Sequence, residues 1–210
     1  MRHIHYGAFD PKQGVAMGRP REFDEQDVLA TAGEIFWAKG YEGTSTRDLT
    51  AGTGLTHSSL YGAFGDKRGL YLKALDQYLD RTLRERIARI ERSHTGAAAI
   101  GAFFDEMAAR SLADPLHRGC MMVNTAIDAA PGEAEFQRVV ADETQLIEAF
   151  FRRAVEAGQA SGEIARRQSA TDLSRHLLSV LLGLRVLARV RPDADLLNGL
   201  ARSARAILTT

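Results

Sequence analysis

The sequence predicts an all-α protein of about nine helices, and three observations carry that expectation. Apolar residues recur at helical spacing almost without a break from Asp24 onward. No segment alternates apolar and polar residues as a half-buried strand does, and no internal repeat is present. Glycines, prolines and short polar caps punctuate the chain at helix-length intervals. With 210 residues, 45% of them apolar and 26% charged, the chain is long enough to bury a real core.

Residues 1–22 show no periodicity and read as a mobile arm; Met17 is a candidate start, since everything recognisable follows it. The first helix opens on Asp24 as N-cap with Asp27 three residues on, and Phe23 and Val28 sit where a hydrophobic staple would. Val28, Leu29, Ala32, Ile35 and Phe36 form its buried face, and Gly40 ends it. Ser45 and Asp48 have capping-box spacing for a short second helix that stops near Gly52 and Gly54. Thr56 caps a third through Leu60, Tyr61 and Phe64, closed by Gly65. Asp66 caps a long fourth helix with Leu70, Ala74, Leu75, Tyr78, Leu79, Leu83, Ile87 and Ile90 on its core face. Ala97 to Leu112 follows, stopped by Asp114-Pro115 because a residue before proline is pushed out of the helical region. Gly119 to Ala129, Glu133 to Ala157, Ala170 to Val190 and Asp193 to Leu208 complete the set.

Composition excludes several function classes and is silent on another. Lys+Arg and Asp+Glu number 27 each, so the net charge is zero. Residues 1–92 hold 14 basic and 13 acidic residues, a balance of +1. The basic footprint of phosphate neutralisation is therefore missing, and any reading in terms of DNA rests on local pattern. One cysteine, Cys120, excludes an internal disulfide framework. No apolar run approaches the roughly 18 residues of a spanning helix, and Met1 to Ala16 lacks a signal-peptide core. The expectation is a cytoplasmic protein with no membrane contact. There is no phosphate-binding glycine loop, nucleophile elbow or metal-ligand spacing, so neither enzyme, cofactor nor metal is expected. His117 and His176 stay open as a pair the fold could bring together.

The chemistry concentrates in Ser45 to Phe64. Two short helices joined by a glycine-containing turn at Ala51 to Leu55 form a helix-turn-helix, whose second helix can enter a major groove. Thr56, His57, Ser58, Ser59 and Tyr61 give that helix four hydroxyls and an imidazole, able to reach phosphates and base edges. Thr46 and Arg47 open the helix before it, and Arg47 can grip guanine or a phosphate. Lys67 adds a cation beside backbone N–H groups at the start of the fourth helix. Helical spacing alone equally allows two short helices of a bundle with their polar side in water.

The stretches Gly40 to Leu49, Leu55 to Tyr61 and Phe64 to Leu70 resemble the DNA-binding domain of the TetR family of bacterial repressors. Leu60-Tyr61, Phe64, Lys67 and Leu70 stand in the family's register, over Arg21 to Leu70. The resemblance implies base or phosphate contacts for Arg47, Thr56, His57, Ser59 and Tyr61, and a phosphate anchor at Lys67. Ser58, Gly62 and Ala63 depart from the usual residues, leaving a small, uncharged recognition surface. Arg19 and Arg21, in Gly18-Arg19-Pro20-Arg21, suit an arm lying in a narrow minor groove, or simply a solubilising tail.

The resemblance further implies a division into the arm (1–22), a DNA-binding domain (23–71) and an effector-binding and dimerisation domain (72–210). The expected partners are a palindromic double-stranded operator, a small-molecule effector and a second copy of the chain. Leu177 to Leu187 leaves almost no polar face, which suits either a subunit interface or an intrachain core. Phe103, Phe104, Met107, Met121, Met122, Asn124 and Phe150 are candidates for an apolar ligand pocket, with Cys120 and His176 beside them. Each aromatic or methionine is equally readable as core. Asn124 needs a ligand or a neighbouring carbonyl as partner. Cys120, near Arg118 at a helix start, is either a reactive thiol, making the protein an electrophile or redox sensor, or a small buried hydrophobe. The rival class is an all-helical small-molecule-binding protein that merely contains the motif.

Overall fold

The computed structural model describes residues 23–129 and 131–209; Arg19 and Arg21 of the arm lie outside the described residues. Among the described residues there are nine helices and no strand. They are α1 (Glu25–Lys39), α2 (Thr46–Thr53), α3 (His57–Phe64) and a long α4. That helix is α-helical over Lys67–Leu79, π-helical over Asp80–Arg84 and α-helical again over Glu85–Ser93. Then come α5 (Gly96–Ala113) and α6, which is Met121–Asn124 followed by a π-helical turn at Thr125–Ala129. The last three are α7 (Ala134–Ser161), α8 (Ala170–Val190) and α9 (Ala194–Ala206).

Side chains close to the helix starts set most boundaries. Asp24 accepts from the Gln26 N–H, Thr56 from Ser59 and Asp66 from Gly69, each satisfying an amide with no intrahelical partner. Ser45 and Asp48 form a full reciprocal capping box. Gly54 ends α2 in the left-handed region, at φ 70° and ψ 6°, which a side chain would penalise. Gly52 serves approach instead: a Cβ there would collide with the Ile35 side chain of α1. Leu49, Leu60, Phe64 and Leu70 are almost fully buried under this unit. Each burial is worth roughly 1.5–3 kcal/mol, and together they hold three short helices that would not persist alone.

Helix α4 joins this unit to the rest. Its first half packs on α1 through Tyr71, Ala74 and Leu75, and its last segment packs on α5. The π turn, which helical periodicity did not suggest, carries Arg84 to Glu143 of α7 as well as to Asp76 and Asp80. Helices α5, α7, α8 and α9 pack against one another as the body. Phe103, Phe104, Phe150 and Phe151 form its aromatic centre, with ring centroids 5.3–6.2 Å apart.

The helix expected from Gly119 starts at Met121, and the largest boundary difference is at the end of α7. Helix α7 runs past Ala157 and Gly158 to Ser161, where Gly162 caps it in the left-handed region. Gly158 stays helical because Ile164 packs onto the space where its side chain would be. The α8 stripe divides: Leu177, Leu181 and Leu184 are buried, whereas Val186 and Val190 are exposed, Val190 by 71%. No helix among the described residues is long and apolar enough to cross a membrane.

Candidate nucleic-acid interface and adjoining cavity

Helix α3 presents His57, Ser58 and Ser59 to solvent while Leu60 and Phe64 anchor its other side. Thr56 is spent locally: its Oγ1 accepts from the Ser59 N–H at 3.2 Å and donates to Ser59 Oγ at 2.9 Å. Thr46 and Tyr61, both half-buried, share a hydroxyl contact of 3.0 Å that fixes α3 against α2. The His57 ring meets Tyr61 edge to face at 4.7 Å. Arg47 is exposed, and a shallow groove between α2 and α3 runs past Arg47, Thr50, Leu55 and His57. Lys67 sits 4.5 Å from the Tyr41 ring centroid. Neither Arg47 nor Lys67 has a carboxylate within ion-pair distance among the described residues. Asp66 takes the Gly69 N–H, so the start of α4 is less open to an anion than Lys67 alone suggests. At α2, Asp48 is held well below the usual carboxylate range by hydrogen bonds from Lys39 and from Ser45, so the box stays charged and intact.

Behind this surface lies a cavity of about 430 Å³. It lies where α1 meets the body. Glu34 and Trp37 come from α1, Tyr78 and Arg86 from α4, and Phe103, Met107 and Ser111 from α5. Arg118 and Cys120 come from the connection before α6, Met122 and Val123 from α6, and Leu181 and Arg185 from α8. Of the expected pocket residues, Phe103, Met107, Cys120 and Met122 line it. Phe104 and Phe150 belong to the aromatic centre, Met121 is buried away from it, and its neighbour Met122 takes the wall. Asn124 donates to the Arg118 carbonyl at 3.0 Å, the second of its two expected partners. His176 is exposed and does not reach the cavity; His117 is exposed as well.

Several cavity residues escaped the sequence reading. Arg185, only 9% exposed, donates to Ser111 Oγ at 2.7 Å and to the Gly119 carbonyl. An arginine inside the apolar Leu177 to Leu187 run was the available signal. The Tyr78 hydroxyl lies 3.8 Å from Cys120 Sγ, and burial, then the neighbouring Cys120, pushes its pKa above the ordinary tyrosine value. Burial alone would raise Asp114, yet bonds from the Arg118 guanidinium and backbone hold it below the usual carboxylate range.

The cavity wall touches the helix-turn-helix unit directly. Arg118 pairs with Glu34 of α1 and with Asp114, and its guanidinium lies 3.8 Å from the Trp37 ring centroid. Tyr71 and Thr125 share a buried hydroxyl contact of 2.7 Å between α4 and α6. Burial, more than any neighbour, raises Tyr71 to about 12, so its proton is retained at ordinary pH. Arg68 at the start of α4 pairs with Glu133 at 3.2 Å and Glu135 at 2.7 Å, near α7.

Comparison with known proteins gives a consistent picture. Residues 28–74 match bacterial regulatory proteins of the tetR family, and residues 96–204 match the tetracyclin repressor-like C-terminal domain. The chain is 36% identical over 187 residues to the uncharacterized HTH-type transcriptional regulator YezE of Bacillus subtilis (strain 168), covering 87% of this chain and 94% of that one. It is 29% identical over 173 residues to the HTH-type transcriptional repressor ComR of Escherichia coli (strain K12), covering 82% of each. Among solved structures, a cysteine-substituted variant of the TetR family regulator CifR, complexed with 26-bp double-strand operator DNA, superposes with a TM-score of 0.81. That match has 30% identity and covers 91% of this chain and all of the other, 100%.

Proposed function

Because the chain belongs to the TetR family of bacterial regulatory proteins and is a DNA-binding transcriptional regulator, we propose that it acts as a homodimeric repressor released from a palindromic operator by a small molecule. Residues 23–71 read the DNA and residues 72–210 bind the effector and the second subunit. Arg47, His57, Ser58 and Ser59 face bases or phosphates, Lys67 holds a phosphate, and Thr46, Thr56 and Tyr61 set the posture of α3. The exposed apolar strip of α8 at Val186 and Val190 supports pairing with a second copy, and a two-fold dimer matches an inverted repeat.

One observation carries the ligand-responsive reading: the cavity wall includes Glu34 and Trp37 of α1. An occupant that favours a different placement of Arg118 moves the helix that supports α2 and α3. It shifts the equilibrium only by binding the two arrangements unequally. Salt-dependent mobility shifts on genomic fragments selected by the protein test the DNA half. Lys67→Ala is expected to weaken all sites alike and to make the salt dependence shallower by about one unit. An unchanged slope removes Lys67 from the interface.

A second reading has its own support, the Cys120 thiol lining the cavity beside the Tyr78 hydroxyl. In it, alkylation or oxidation of Cys120 replaces reversible binding as the releasing event. Iodoacetamide treatment followed by a mobility shift decides it; retained DNA binding by fully alkylated protein ends that reading.

A further inference from the structure

The groups around the cavity are unevenly charged. Arg86, Arg110, Arg118 and Arg185 line it against Glu34 and Asp114 only, four cations to two carboxylates. Both of those carboxylates are committed to one arginine, Arg118. Arg86, 5% exposed, binds Glu106 but shares it with Arg89. Arg185 has no carboxylate within ion-pair distance among the described residues; it donates to the Ser111 hydroxyl and the Gly119 carbonyl, with the Cys120 thiol and the Tyr78 hydroxyl beside it. Burying a guanidinium costs several kcal/mol unless an anion faces it, and here no carboxylate of the described residues does. Outside, a groove carries Arg81, Arg89 and Arg92 against Glu85 and shares Arg86 and Arg110 with the cavity. Clustered cations at an entrance concentrate anions there. Leu79, Leu83, Phe103, Met107, Ile147 and Leu181 give the rest of the wall a largely apolar face, with Thr82 and Ser111 among them.

We propose that the cavity takes an organic acid, a carboxylate carried on an apolar body, with the carboxylate bound by the Arg185 guanidinium. The Tyr78 hydroxyl is the second donor. It stands beside Arg185, and its 3.8 Å contact to Cys120 Sγ is a weak bond to exchange. This rests on the reading of the cavity as the effector site and adds the chemistry of the effector.

The test uses three probes with one body and three head groups, octanoate, 1-octanol and octylammonium, titrated into the full chain by calorimetry. Octanoate is expected to bind at least about tenfold more tightly than 1-octanol, and octylammonium more weakly than either. Arg185→Met should erase the preference, and Arg185→Lys should keep part of it. Arg110→Gln, at an exposed position, should weaken octanoate at low salt and leave 1-octanol unchanged, which serves if the Arg185 variants do not fold. Equal or tighter binding of 1-octanol or octylammonium to the wild type overturns the proposal, as does binding of none of the three. So does a full preference in folded Arg185→Met. DNA release is scored separately by mobility shift. Octanoate that binds without releasing DNA ends the effector reading and leaves the acid site standing. Release by 1-octanol alone does the reverse.

Discussion

The surface proposed to meet DNA and the cavity behind it are built on opposite plans. Around α3, polar groups are exposed, short-range and nearly neutral; Thr56, Ser58 and Ser59 lie within four residues and bond to one another. Around the cavity, polar groups are buried, long-range and cationic; Arg185 meets Ser111 across 74 residues and Gly119 across 66. The first region leaves polar groups at the surface, which suits the proposed reading of a polyanion. The second sequesters charge where low dielectric strengthens every contact and penalises any group left without one. The two meet at α1, whose Glu34 and Trp37 face the cavity while Ile35 supports α2.

Each prediction separates the two regions, beginning with the largest effect. Leu60→Ala, on the buried side of α3, is expected to cost about 2–5 kcal/mol of folding stability in chemical denaturation. A loss confined to the helix-turn-helix, with α5 to α9 still folded, would show that the regions unfold separately. Arg47→Ala should cost roughly 1–3 kcal/mol of operator affinity, with selectivity lost at one base position and stability unchanged. Equal affinity across a panel of operator variants in both proteins would place Arg47 off the bases. Tyr71→Phe removes the buried contact to Thr125 and should cost about 1 kcal/mol, while DNA affinity without effector changes little. A larger drop in DNA affinity than in stability would mean that α4 and α6 set the posture of α3 directly.

The smallest effect is acid dependence. Asp114 has a lowered pKa when folded, so it contributes stability that is present above the ordinary aspartate value near 3.9 and lost as pH falls through its lower folded value. Wild type should therefore lose up to about 1 kcal/mol more than Asp114→Asn between pH 5 and pH 3. Parallel denaturation curves for the two proteins over that range would show that the Asp114–Arg118 pair contributes nothing net.

How much was legible follows from the same contrast. The caps at Asp24, Ser45, Thr56 and Asp66 and the stops at Gly40, Gly54 and Gly65 could be read directly, since each is an interaction within four residues along the chain. Phe103, Met107, Cys120 and Met122 reach the cavity, but Phe104, Phe150, Met121, Asn124 and His176 do not line it. An apolar side chain on a helix carries no mark of whether it faces a void or a neighbour. Met121 and Met122 differ only in which way they turn from the axis of α6. The end of α7 was misplaced for a similar reason: Gly158 and Gly162 look alike, and only the packing of Ile164 makes one interior and the other terminal.

By itself, then, the sequence determined the all-helical class, the caps and the positions of most helix starts. All of these rest on near-neighbour hydrogen bonds and on the helical period. Tertiary structure alone decided that Arg118 joins α1 to the body, that Tyr71 finds Thr125, and that an arginine deep in an apolar helix faces a cavity rather than a carboxylate. Those facts depend on which helices cross and at what rotation. Packing free energy, summed over the whole core, fixes that rotation, and no local segment encodes it.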